Sequence, residues 1–178
     1  MPRDIVVQPL TEEAFGQFGR IIEGVFPCML DDLAGLIASN AGQRVALPKT
    51  CTIDLDGLTR AIVVEIIEPC RDFRLTKMEY HLRGEEMVWC DSDCIAFAGP
   101  RVRNWQAPLE QYLGEMTALY VKRGTRLVYR PGALHYVPLI VGEQPSIVRF
   151  IKPLEIEESG TFTRKWGIPD EEQPRIVL

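Results

Sequence analysis

The chain has 178 residues, a length that suits one domain able to bury a real core. It is 46% hydrophobic and 25% charged, an ordinary globular balance, and its net charge of −5 argues against a nucleic-acid or anionic-membrane binder, which needs clustered Lys and Arg. No apolar run approaches bilayer length, and Met1-Pro2-Arg3-Asp4 lacks the charged-then-apolar layout of a signal peptide, so a cytoplasmic protein is expected.

In chain order, Ile5-Val6-Val7 reads as a strand. Thr11 then caps a short helix running to Phe18, with Glu12 and Glu13 in its first turn and Gly19 ending it. Gly24 to Lys49 reads as loop, with a turn of helix near Leu30–Ile37. From Ala61 onward strand candidates follow one another: Ala61–Ile67, Phe73–Leu82, Glu86–Trp89, Ile95–Ala98, Thr117–Lys122, Leu127–Arg130 and Ser146–Pro153. Turn signals such as Arg83-Gly84, Gly99-Pro100, Arg123-Gly124 and Pro131-Gly132 separate them. Short, regularly punctuated strands with one helix indicate an all-β sandwich or barrel. One domain is expected, with a helix and loop region over 1–60, the barrel over 61–153 and a tail over 154–178. Trp166 is the tail's large apolar anchor, docking on the barrel or on a second subunit. The five cysteines (Cys28, Cys51, Cys70, Cys90, Cys94) are odd in number and hold no CxxC pair, which fits reduced, structural thiols better than a disulfide framework or a Cys90/Cys94 metal site.

Chemistry gathers around the two histidines. In Met78-Glu79-Tyr80-His81, strand alternation puts Glu79 and His81 on one face. The same alternation extends that face back through Leu75 and Phe73. Gly84 breaks the strand, so parity does not carry to Glu85 or Glu86, and one of the two is expected beside His81. The second histidine, His135, emerges on the strand after the Pro131-Gly132 turn.

These segments resemble the two motifs of the cupins, a His-x-His-x3-Glu segment and a later Pro-Gly-x2-His hairpin. The match falls on His81, Glu85, Pro131-Gly132 and His135, with Glu79 in place of the first histidine. The resemblance implies a double-stranded β-helix, or jelly-roll, with a short N-terminal helix. It also implies a divalent metal (Zn, Ni, Mn or Fe) on Glu79, His81, Glu85 and His135, and no organic cofactor.

Three windows further resemble the ureidoglycolate lyases: Val7-Gln8-Pro9-Leu10-Thr11 through Gly19 and Ile22-Glu23, Glu79-x-His81-x2-Gly84, and Tyr129 followed by Gly132, His135 and Pro138-Leu139. Arg130, Leu134 and Tyr136 depart from that family's pattern. The implied reaction splits ureidoglycolate into glyoxylate and urea, with His135, His81 and Glu79 as catalytic candidates. His135 or Glu79 is the candidate proton acceptor. Arg130 or Arg149 is the candidate partner for a substrate carboxylate, and Tyr129 and Tyr136 are further substrate-binding candidates. The expectation is a carbon–heteroatom lyase or related isomerase acting on a small hydroxy or keto acid, as a homodimer. The alternative is a non-catalytic cupin that binds or senses a small acid or sugar.

Overall fold

The computed structural model describes residues 4–22, 45–48, 60–104, 106–153 and 163–178. In chain order its strands are β1 (Ile5–Pro9), β2 (Gly19–Ile22), β3 (Val45–Pro48), β4 (Arg60–Ile67), β5 (Lys77–His81), β6 (Glu86–Cys90), β7 (Cys94–Arg101), β8 (Thr117–Val121), β9 (Arg126–Tyr129), β10 (Ala133–Ile140), β11 (Ser146–Pro153), β12 (Thr163–Gly167) and β13 (Ile176–Val177). Among the described residues they form a seven-stranded sheet, β12-β5-β10-β7-β8-β1-β13, and a six-stranded sheet, β2-β9-β6-β11-β4-β3. Pairing is antiparallel except where β1 runs parallel to β8 and to β13. Strands from residues 1–60 and 154–178 thus complete both sheets.

The two sheets pack face to face over one core and leave a second core on the far side of the larger sheet. Strand β7 shows why. Cys94, Ala96 and Ala98 point between the sheets with Val88, Leu127, Val148 and Phe150, whereas Ile95 and Phe97 point outward with Leu75, Met78, Tyr80 and Leu134. With both faces covered, β7 is apolar from Cys94 to Ala98 without polar alternation. Each large side chain buried in these layers stabilises the fold by about 1.5–3 kcal/mol.

Thr11 caps helix α1 (Glu12–Phe15) by accepting the Ala14 N–H at 3.0 Å. The helix ends at Phe15, short of Phe18, because the chain must turn at once into β2. Gly19 marks that entry: a Cβ there would lie 1.9 Å from the Val128 carbonyl oxygen of the neighbouring strand. The loop expected over Gly24–Lys49 includes β3, and the helical turn near Leu30–Ile37 lies outside the described residues. Strand β5 starts at Lys77, not Phe73. Phe73 and Leu75 therefore do not share the face of His81; both pack in the outer core with Met78 and Tyr80, since alternation does not carry through the irregular residues before Lys77. Trp166, on β12, packs against that same core.

Candidate metal centre

Glu79 and His81 project from one face of β5, and β10 lies beside it with His135 directly opposite Glu79. The turn that delivers His135 is fixed by its residues. Pro131 sits at the first central position, Gly132 follows with φ of 83°, and the Ala133 N–H closes the turn on the Arg130 carbonyl at 3.0 Å. The Gly132 N–H donates to the His81 carbonyl at 2.6 Å, so the two histidine segments are tied together through the backbone.

One ligand atom from each of Glu79, His81 and His135 lies within 4.8 Å of the others, and all three residues are buried. The imidazoles stand with centroids 5.1 Å apart. His135 Nδ1 lies 2.9 Å from the Ala133 carbonyl oxygen. A carbonyl only accepts, so Nδ1 carries the hydrogen and Nε2 turns a lone pair inward. That Nε2 is buried and has no hydrogen-bond partner among the described residues. Below it Tyr129 stacks on the ring at 4.7 Å and 23°, while its hydroxyl donates to the Phe97 carbonyl at 2.9 Å. His81 Nδ1 meets Thr163 Oγ1 of β12 at 2.8 Å.

A fourth group comes from the facing sheet. Glu86, at the start of β6, reaches His81 Nε2 at 2.7 Å and stands 3.8 Å from His135 Nε2. Burial pushes its carboxyl upward, but His81, then His135 and Lys152, outweigh that and hold it well below the usual carboxylate range. Burial also lowers His135, against the pull of Glu86, which keeps the ring neutral.

The other sequence candidates are placed as follows. Glu85 is held by Arg20, with Nη2 to Oε2 at 2.6 Å, and it lies outside the Glu79, His81, His135 group. Arg130 is exposed. Arg149 lies 5.6 Å over the Trp89 ring and binds Asp91 at 2.5 Å. It alternates with Val148 and Phe150, which point into the inner core, so it faces away from the histidines. Tyr136 packs against the outer core, and burial raises its hydroxyl pKa. Lys165 contacts Glu79 at 2.8 Å. A surface cavity of about 620 Å³ bounded by Asp4, Gln8, Met116, Glu171 and Glu172 contains none of these site residues.

Two packed sheets, a Pro-Gly hairpin and inward-facing His and Glu side chains from adjacent strands define the architecture. The fold is of the cupin type.

No family model and no curated protein sequence matches the chain. Cupin-fold structures are similar to it at low identity. Bacillus subtilis oxalate decarboxylase, a protein with Mn(II) centres, is 14% identical over 62% of this chain and 25% of its own, with a TM-score of 0.41. Oxalate oxidase in complex with glycolate is 13% identical over 63% of this chain and 51% of its own, at 0.37. Salicylate 1,2-dioxygenase from Pseudaminobacter salicylatoxidans is 14% identical over 78% and 35%, at 0.38. The chain spans about a quarter of the length of the oxalate decarboxylase chain.

The donor set suits a divalent ion. Two imidazoles and a carboxylate accept zinc or a harder first-row metal, and the buried Nε2 of His135, without a hydrogen-bond partner among the described residues, is the ring nitrogen left to join the other donors. His135 Nδ1 also makes the backbone hydrogen bond that orients metal-binding imidazoles.

Proposed function

We propose that this cupin is a metal-dependent enzyme acting on a small hydroxy or keto acid, with ureidoglycolate cleavage to glyoxylate and urea as its reaction. The observation that carries this reading is the convergence of Glu79, His81 and His135 donor atoms within 4.8 Å inside the barrel, one of them a buried nitrogen with no hydrogen-bond partner among the described residues. Those three residues would hold the ion, which when bound supplies Lewis-acid polarisation of a substrate oxygen.

The proton work falls to Glu86. It faces the three donors from the other sheet, with its carboxylate 2.7 Å from His81 Nε2. In this reading its carboxylate takes the carbinol O–H proton as the carbon–nitrogen bond breaks. The electron pair of that bond goes to the departing urea nitrogen, and Glu86 returns the proton there. Tyr129 keeps the His135 ring in plane, and Thr163 orients His81. Burial of these groups keeps bulk water from competing for the proton.

Elemental analysis of the purified protein, joined to glyoxylate release from ureidoglycolate after loading with Zn, Ni, Mn or Fe, tests this. The expected result is about one ion per chain, turnover in the wild type, and loss of both in His135→Ala with the barrel still folded. A wild type that takes up none of these ions ends the metal reading. A loaded protein that binds small acids and turns none over is a binding or sensor cupin instead.

A further inference from the structure

Strand β12 supplies none of the three donors, yet it touches two of them. It lies at the edge of the seven-stranded sheet beside β5. The antiparallel register sets Thr163 directly opposite His81 and Lys165 directly opposite Glu79. Residues two apart on a strand share a face, so the spacing that aligns Glu79 with His81 is repeated by Lys165 and Thr163 on the neighbouring strand. Thr163 Oγ1 meets His81 Nδ1 at 2.8 Å, and Lys165 Nζ stands 2.8 Å from Glu79 Oε2. Arg164 and Trp166 face the other way. Arg164 Nη1 donates to the Ala107 carbonyl at 2.7 Å, and Trp166 packs against the outer core. One face of β12 anchors the strand while the other meets the site.

A metal ligand whose far side is already held has less freedom to lose when an ion arrives, so the partners that hold it contribute to affinity. His135 has such a partner on its own strand, the Ala133 carbonyl. His81 and Glu79 have theirs on β12. With Nδ1 on Thr163, His81 turns Nε2 toward Glu86 and the interior. Glutamate is the most flexible of the three ligands and gains most from being held. Its side chain is 10% exposed and that of Lys165 is 61% exposed, so the lysine reaches in from solvent to a carboxylate within the barrel.

We propose that Thr163 and Lys165 are positioning residues of the metal centre, β12 presetting two of its three ligands. The inference rests on the metal-centre reading and adds that ion affinity depends on a strand that donates no ligand. The ammonium has two opposed effects: it orients the carboxylate, and it repels a cation. Solvent around an exposed side chain screens the repulsion, whereas losing the outer partner of a metal ligand costs about tenfold to a hundredfold in affinity. Orientation therefore wins.

The test titrates Zn(II), Ni(II), Mn(II) and Fe(II) into the purified chain against a chromophoric chelator, with a denaturant melt of each variant beside it. The wild type should bind one of these ions, and His135→Ala should lose it. Lys165→Met and Thr163→Val should each weaken binding by about tenfold or more. Lys165→Arg and Thr163→Ser should restore most of it. Arg164→Gln, on the anchoring face, should lower the denaturation midpoint with affinity unchanged, the pattern of a residue that serves folding alone. Should Lys165→Met or Thr163→Val fail to fold, the other decides, since each acts on a separate ligand. Binding as tight as the wild type in these variants overturns the positioning role and leaves the metal centre standing. Tighter binding in Lys165→Met makes the ammonium a competitor of the ion and overturns it too. A wild type that takes up none of the ions, or uptake that survives His135→Ala, overturns both readings.

Discussion

The rings of Tyr129 and His135 lie stacked with centroids 4.7 Å apart, each on a different sheet, so the packing of the two layers sets the direction of the inward nitrogen. Tyr129→Phe keeps the stack and removes only the hydroxyl's bond to the Phe97 carbonyl. The unfolding free energy should fall by about 1 kcal/mol with metal content unchanged. Tyr129→Ala removes the stack as well and should weaken metal binding by about tenfold or more. Denaturant melts and metal-competition titrations read the two effects separately.

Glu85 and Glu86 are adjacent in sequence and opposite in use. Glu86→Gln should leave the ion in place and slow turnover by about a hundredfold or more, the range for loss of a positioned acid–base group. Glu85→Gln should alter neither metal content nor rate, because its carboxylate is committed to Arg20. Metal loss in Glu86→Gln with full occupancy in Glu79→Gln would exchange their assignments.

Asp93 provides a pH-dependent contribution to stability outside the site. The Tyr120 hydroxyl at 2.6 Å, the Arg123 N–H at 2.9 Å and Lys122 at 3.2 Å all bind its carboxylate. Led by Tyr120, they lower its pKa from 3.8 to about 2. A depressed carboxyl means the unfolded chain takes up the proton first, so the stabilisation is present above pH 3.8 and is lost as pH falls toward about 2. Asp93→Asn should flatten that part of the acid-unfolding curve relative to the wild type. An unchanged acid limb would show that the three contacts do not persist in solution.

Gly19 of β2 lies against the backbone of β9 with no room for a side chain. Its missing Cβ would meet the Val128 carbonyl oxygen at 1.9 Å and the Phe15 ring at 2.8 Å. Gly19→Ala should cost on the order of 3 kcal/mol, measurable as a lowered denaturation midpoint. A midpoint within error of the wild type would mean that β2 leaves β9 easily.

Some of this arrangement was legible from residue order. Strict alternation placed Glu79 with His81, and a Pro-Gly turn before His135 announced a hairpin; both are local signals. Legibility stopped where local periodicity broke. Gly84 adopts a φ of 69°, so nothing in the sequence decided which of Glu85 and Glu86 turned inward. Phe73 and Leu75 precede the true start of β5, and the irregular backbone there moved them to the outer core. Arg149 drew attention as a cation on a long strand, but facing depends on pairing. Once Val148 is seen opposite Cys90, the same alternation turns Arg149 outward.

The parallel pairing of Ile5 with Ile176 and of Val6 with Val177 joins segments that lie far apart in sequence. A contact between such distant partners carries a large loop-closure entropy and forms late. During synthesis β1 must therefore wait, one flank bare, until the ribosome has released β13, and a nascent chain stalled before that point would present an open strand edge to chaperones.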